Sequence, residues 1–372
     1  VGISIKDGKY AVVRGLDGRY IAATLNKNMI PTTDPFVRDA ELDLYPADIL
    51  GGIEIQKSFS ADLPAESSAG VILVKTRGRT GEYVNKLSVD LKANTETTGK
   101  DYLTSEGGDS DILGYDDGFR ALPSAVSSII NGGRDFSICQ VEGQPNCVTV
   151  DDAANAAAQL NNIWETQTKS ASPGYGLGYT IGNVMDLDFG SLSGYFTISY
   201  DNEISNKTDG SIDRPNRFQA NFTESSEDIS LNTYFVGGLE LNDGSSVEIK
   251  TMQLRNTENT VRIDDVIDNE GVSSENTVIE WRERELFSTH LSGEHFLPAN
   301  QEIAWRLGQA KTTSDIPDRR RYTYRGEGNA RTLTFNQVER LWSTLEETST
   351  DFGLDYSIEF DITTAGRADV KA

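Results

Sequence analysis

The chain has 372 residues, 37% of them hydrophobic, with 34 basic against 58 acidic side chains and a formal net charge of -24. That balance argues against nucleic-acid binding, which rests on a basic patch or stripe, and it disfavours an anionic ligand unless a local basic patch reverses the sign. Mean hydropathy is -0.44, and no stretch approaches the roughly twenty consecutive apolar residues of a transmembrane helix, but a β-barrel stays open because only every second strand residue meets lipid.

Residues 10–78 read as a small mixed α+β unit. Tyr10–Arg14, Tyr20–Leu25, Ile53–Gln56 and Val71–Thr76 are β-type runs between turn residues. Arg14-Gly15-Leu16 followed by Gly18-Arg19-Tyr20 predicts a strand, a tight turn and a returning strand. Pro46-Ala47-Asp48 predicts a helix start, with proline in the first turn and a carboxylate near the N-terminal dipole. Ser67-Ser68-Ala69-Gly70 predicts a small-residue turn before the last strand.

This order resembles the C-terminal half of the plug domain of TonB-dependent outer-membrane receptors. Those plugs carry an Arg-Gly hairpin, a Leu-Asn-Gly step, a Pro-Ala-Asp-Leu-Ile-x-x-Ile-Glu-Val-x-Lys segment and a closing Gly-Gly-x-Ile-x-Leu-x-Thr-Arg. The chain has Arg14-Gly15, Leu25-Asn26-Lys27, Pro46–Lys57 and Ala69–Arg77. It departs at Lys27, where glycine is usual, and at Ala69, which replaces the first closing glycine. The resemblance implies a plug half over residues 1–77 and the first part of a β-barrel over 78–372. Val1 then begins in mid-domain, so the sequence reads as an internal piece of a longer receptor.

Past residue 83 the texture fits that expectation. Tyr83–Thr95 alternates, with Leu87, Val89, Leu91 and Ala93 on one face and Ser88, Asp90, Lys92 and Asn94 on the other. Residues 96–173 are predicted to form a long extracellular loop. It holds Asp109, Asp111, Asp116 and Asp117, the two cysteines, and a helix-like run at Asp151–Thr166. Strands then pair: Gly176–Phe189 with Gly194–Asn202 across Gly190–Ser193, Ile229–Leu241 with Ser246–Thr257, and Thr277–Phe296 with Glu302–Thr313. Phe352–Thr363 comes last, with Leu354, Tyr356, Ile358 and Phe360 expected to face lipid and Asp355, Ser357, Glu359 and Asp361 the lumen. The fold class is therefore mainly β, with about eight antiparallel strands; the resemblance implies that they form a partial transmembrane antiparallel β-barrel, about eight of about 22 strands in the complete receptor, preceded by part of a small α+β plug. Gly293-Glu294-His295, Ala304-Trp305 and Pro317-Asp318-Arg319 also resemble one large subgroup of the family, in which Pro-Asp-x-Arg opens an outer loop.

Cys139 and Cys147 lie close together in a polar stretch, which predicts a local disulfide in an oxidising compartment. The four aspartates do not follow the spacing of a twelve-residue calcium loop. Gly174–Gly178 opens a strand rather than a helix, so it offers no phosphate cradle. His290 and His295 have no third ligand in sequence and read as barrel or turn residues. Arg319–Arg321 is a basic patch that pairs by default with acidic loops, with lipopolysaccharide phosphates or an anionic ligand as the alternatives. No catalytic, metal or cofactor residues are assigned.

The function implied by the resemblance is uptake: a scarce small molecule or oligosaccharide, such as a siderophore, binds outside and is imported to the periplasm. The implied partners are outer-membrane lipid and lipopolysaccharide, and the TonB complex acting through a plug segment outside this chain. Arg14 and Arg77 are candidates for plug–barrel ion pairs with lumen carboxylates such as Glu240 or Glu248. The alternative is a non-transporting surface adhesin or polysaccharide-binding protein, which needs no plug.

Overall fold

The computed structural model describes residues 3–6, 9–16, 20–34, 41–58, 60, 63–64, 69–141, 144–326, 328–362 and 366–371. Strands β1 (Ile3–Lys6) and β2 (Tyr10–Val13) form an antiparallel pair. Arg14 and Gly15, at φ 56° and 76°, reverse the chain so that Val13 and Leu16 exchange backbone hydrogen bonds. The returning strand does not pair with β2 as expected. Strands β3 (Ile21–Leu25), β4 (Asn28–Met29), β5 (Leu50–Gln56) and β6 (Gly70–Thr76) instead form a separate sheet in the order β4-β3-β6-β5. β3 runs parallel to β6, so their inward Ile21, Leu25, Ile72 and Val74 are all buried. Pro46 does not start a helix: Ile49 N–H and Leu50 N–H make only turn bonds to Pro46 and Ala47, and β5 begins at once. A 3-10 turn forms earlier, at Leu42–Leu44. Gly18, Arg19, Ser67 and Ser68 of the expected turns lie outside the described residues.

The rest of the chain builds one large antiparallel sheet. It opens with β7 (Val84–Lys92). The chain then leaves the sheet for β8 (Asp101–Ser105), α1 (Ser124–Asn131), α2 (Val150–Gln159) and β9 (Thr166–Ser170), with β8 and β9 paired. It returns with β10 (Gly174–Leu187), β11 (Gly190–Arg214), β12 (Phe218–Leu241), β13 (Ser246–Asp268), β14 (Ser273–Leu297) and β15 (Gln301–Arg325). β16 (Thr332–Leu333) clips onto β15, and β17 (Glu339–Ile362) and β18 (Gly366–Lys371) complete it. Each strand pairs with its neighbour in the order β18-β17-β15-β14-β13-β12-β11-β10-β7. The sheet does not close into a barrel: β7 and β18 are its two edges.

Strand lengths exceed the expectation. β11 to β15 have 23–25 residues each, about 80 Å at ~3.4 Å per residue, whereas a bilayer needs only about ten tilted residues. The expected turn at Gly190–Ser193 falls two residues earlier, because Leu187 pairs with Gly190 and Asp188-Phe189 make the loop. Pro317-Asp318 does not open a loop. It sits inside β15 as a bulge, with Asp318 at φ 58° and the register shifting between Ile316 and Arg319, a position where a strand tolerates proline's missing donor.

The core joins the two sheets. Val13, Ile49, Ile72 and Val74 of the small domain pack in one cluster with Tyr234, Val236, Leu254 and Leu286 of the large sheet. Each fully buried aliphatic side chain contributes roughly 1.5–3 kcal/mol, so the small domain is seated by shared apolar burial as well as by charge. A second, smaller core of Val126, Ile129, Val148 and Ala156 holds α1 and α2 together.

Candidate functional site: the seam between the small domain and the sheet

Side chains alternate across a strand, and the large sheet uses its two faces differently. On β14 the even-numbered Arg284, Leu286, Ser288 and His290 face the small domain and are buried. Arg284 has 1% of its side chain exposed and sits among three carboxylates. It donates to Glu41 Oε2 at 2.9 Å, Asp43 Oδ2 at 3.0 Å and Glu258 Oε1 at 2.8 Å, and also to Asn256 Oδ1. Glu41, 4% exposed, further accepts from Tyr10 and Thr33. Lys9 of the small domain pairs with Glu258 of β13, so ion pairs cross the seam in both directions. Burial, and then the charge of Glu41, push the Tyr10 phenol well above its usual range, so it stays a neutral donor.

A second contact lies at the junction of the two domains. Arg79 pairs with Glu240 at 3.2 Å and Glu248 at 3.4 Å, and Lys250 adds a 2.8 Å pair to Glu248. The expected carboxylates are therefore paired, but by Arg79 and not by Arg14 or Arg77. Among the described residues neither of those two makes an ion pair, and both are exposed. Arg77 acts through its backbone: its N–H donates to Ile49 and its carbonyl accepts the Tyr234 hydroxyl. β6 ends at Thr76, and the chain turns Arg79 onto the sheet three residues later. A third contact seats the loop after β4: Glu347 accepts Thr32 N–H at 2.9 Å, and Thr312 Oγ1 donates to Thr32 O at 2.7 Å.

The opposite face carries a belt of exposed apolar side chains. Leu177 and Met185 on β10, Leu192 and Phe196 on β11, Phe235 on β12, Ile249 on β13, Leu307 on β15 and Phe352 and Leu354 on β17 are 37–72% exposed. Register aligns them: Ile181 pairs with Phe196 and Phe196 with Phe235, while Leu291 pairs with Leu307 and Leu307 with Phe352. From Leu177 to Met185 the belt spans about 27 Å along the strand at ~3.4 Å per residue. Leu354 and Tyr356 share this face, while Asp355 points the other way and pairs with Arg306. The side chains of Glu359, Phe360 and Asp361 lie outside the described residues.

Beyond the belt the same face is covered by residues of the 93–173 segment. Gly114 O accepts Arg255 Nε at 2.7 Å and Thr257 Oγ1 at 2.8 Å, and the Arg255 guanidinium lies 3.7 Å from the Tyr115 ring centroid. Gly114 has φ 74°, and a Cβ there would come within 2.9 Å of Thr257 Oγ1, so no larger residue fits this approach. The acidic run is internally engaged: Asp111 and Asp116 pair with Arg120, which stacks on Trp281, and Asp117 accepts the Asp109, Ser110 and Phe119 amides. Cys139 and Cys147 form the expected disulfide, with Cα atoms 5.2 Å apart. The helix at Val150–Gln159 is shorter than predicted, because the carbonyls of Asn161 and Ile163 accept from Arg340 and Arg320 of the sheet instead. Arg320 and Arg340 both pair with buried Asp318, while Arg319 pairs with Glu280 at 3.7 Å. His295 stacks on Trp305 and accepts its indole N–H at 3.0 Å.

Arg284, Glu41, Lys9 and Arg79 were not singled out by sequence reasoning. The available signal was Trp281-Arg282-Glu283-Arg284-Glu285, where both strand faces are charged and so neither can meet lipid. No family model matches the chain, and no curated protein matches it.

Proposed function

We propose that this chain is the plug half and part of the barrel wall of a TonB-dependent outer-membrane receptor. In this reading a Gram-negative cell uses it to take a scarce small molecule or oligosaccharide from the surface into the periplasm, without catalysis or a cofactor. The observation that carries the reading is the two-faced sheet. One face holds a small domain through charge and shared core, and the other exposes an apolar belt close to the ~25 Å band of a membrane barrel. A soluble sandwich would bury such a face against a second sheet; among the described residues no second sheet covers it.

The seam suits a plug that must move. Arg79 and Glu240 are partly exposed, so water weakens their attraction and they separate at low cost. The Arg284 cluster is buried and resists. TonB, pulling from the periplasm, would open the wet junction first and leave the cluster as the last hold. Cell fractionation tests the reading. Recovery in the outer membrane, released only by detergent, is expected; recovery in the soluble fraction overturns it.

A further inference from the structure

We infer that the 93–173 segment touches the bilayer itself, through Ile112 and Leu113 dipping among the acyl chains of the outer leaflet. The inference rests on the membrane reading above. These two residues form a 3-10 turn with Asp111 and are 59% and 52% exposed. Their position is fixed from both sides. Tyr200 on the belt face of β11 donates its hydroxyl to Ile112 O at 2.6 Å, and Gly114 O is held by Arg255 and Thr257. Tyr200 pairs with Leu177 and with Leu231, the last row of β10 to β12 that carries an exposed belt residue, and on the edge strand β7 Leu91, 80% exposed, extends the belt one row farther beside Tyr175. The turn therefore continues the belt by one step on the same face, where polar covering would otherwise begin. Its neighbours suit an interface: Asp111 turns back to Arg120, and the Tyr175 and Tyr200 rings lie 5.9 Å apart at the same rim, the level at which membrane barrels carry aromatic girdles. Two exposed aliphatics on a rigid anchor would be a solubility cost in water and a gain in lipid.

The test uses the complete receptor of that reading, in which the edges at β7 and β18 are paired, reconstituted in phospholipid vesicles, oxidised so that Cys139 and Cys147 stay bonded, with a single added cysteine carrying bimane. Ile112→Cys and Leu113→Cys report the turn, Leu354→Cys the belt, and Lys169→Cys the water-facing part of the segment. Vesicles containing doxyl-labelled phospholipid are the quencher. The inference expects emission at 112 or 113 to fall by at least half as much as at 354, with little loss at 169. Quenching at 354 but at neither turn position overturns the inference and leaves the membrane reading standing, as when a second protein copy covers the turn. No quenching at 354 overturns the membrane reading and the inference with it.

Discussion

Replacing Arg284 by methionine should loosen the small domain more than any other single exchange at the seam. The side chain is 1% exposed and its removal leaves Glu41, 4% exposed, without its cation. Deleting one member of a buried pair typically costs 3–5 kcal/mol, because the remaining charge stays desolvated. Lys9 still stands beside Glu258 and Asp43, so the loss should fall near about 3 kcal/mol, roughly a 150-fold rise in the open population. Amide hydrogen exchange on β3 and β6 in the full chain reads that opening. Arg79→Met, which loses a 20%/53% exposed pair to Glu240 and a longer pair to Glu248 that Lys250 still neutralises, should cost only about 1 kcal/mol. Adding Glu41→Gln to Arg284→Met should recover part of the loss, since the stranded charge is then gone. A cost below about 1 kcal/mol for Arg284→Met, or one equal to that of Arg79→Met, would show that the seam is hydrated and refute the reasoning.

Lys27 stands at φ 72° in the turn between β3 and β4, so Lys27→Gly should raise local stability by about 1 kcal/mol in the same exchange experiment. The hydrogen bond from Arg134 holds the Asp152 carboxyl below its usual range. A depressed carboxylate stabilises above its unfolded pKa, near ~3.9, and its contribution is lost as pH falls through the folded value. The clip between the α1 end and α2 should therefore loosen only in acid, and Asp152→Asn should abolish that pH dependence of exchange in α2. The chain alone should give no discrete single-channel conductance in planar bilayers, because the open edges at β7 and β18 leave backbone groups that lipid cannot satisfy; stable unitary currents would refute this.

The eight expected strands were legible because their lower halves alternate apolar and polar residues, as in Gly176–Phe189. Their upper halves were not. In Ser205–Ser211 or Thr223–Asp228 both faces are polar, so the period-two hydropathy signal vanishes while the backbone ladder continues. The disulfide was readable from spacing alone. The seam was not, since Arg284 and Glu41 are 243 residues apart, and a single sequence carries no record of that pairing. Arg79 shows the limit in miniature: the carboxylates Glu240 and Glu248 were readable as ion-pair partners, but choosing among Arg14, Arg77 and Arg79 needs the turn geometry after Thr76.

The face of β17 that meets lipid separates a membrane wall from a soluble sheet most directly. Leu354→Cys and Asp355→Cys, placed singly in the oxidised chain in outer membranes, decide it by labelling. The structure puts Leu354 on the apolar belt and Asp355 beside Arg306 on the opposite face. A water-soluble maleimide should modify position 355 and spare 354, and a lipid-dissolved reagent should do the reverse. Free access of the water-soluble reagent to position 354 would contradict the membrane reading.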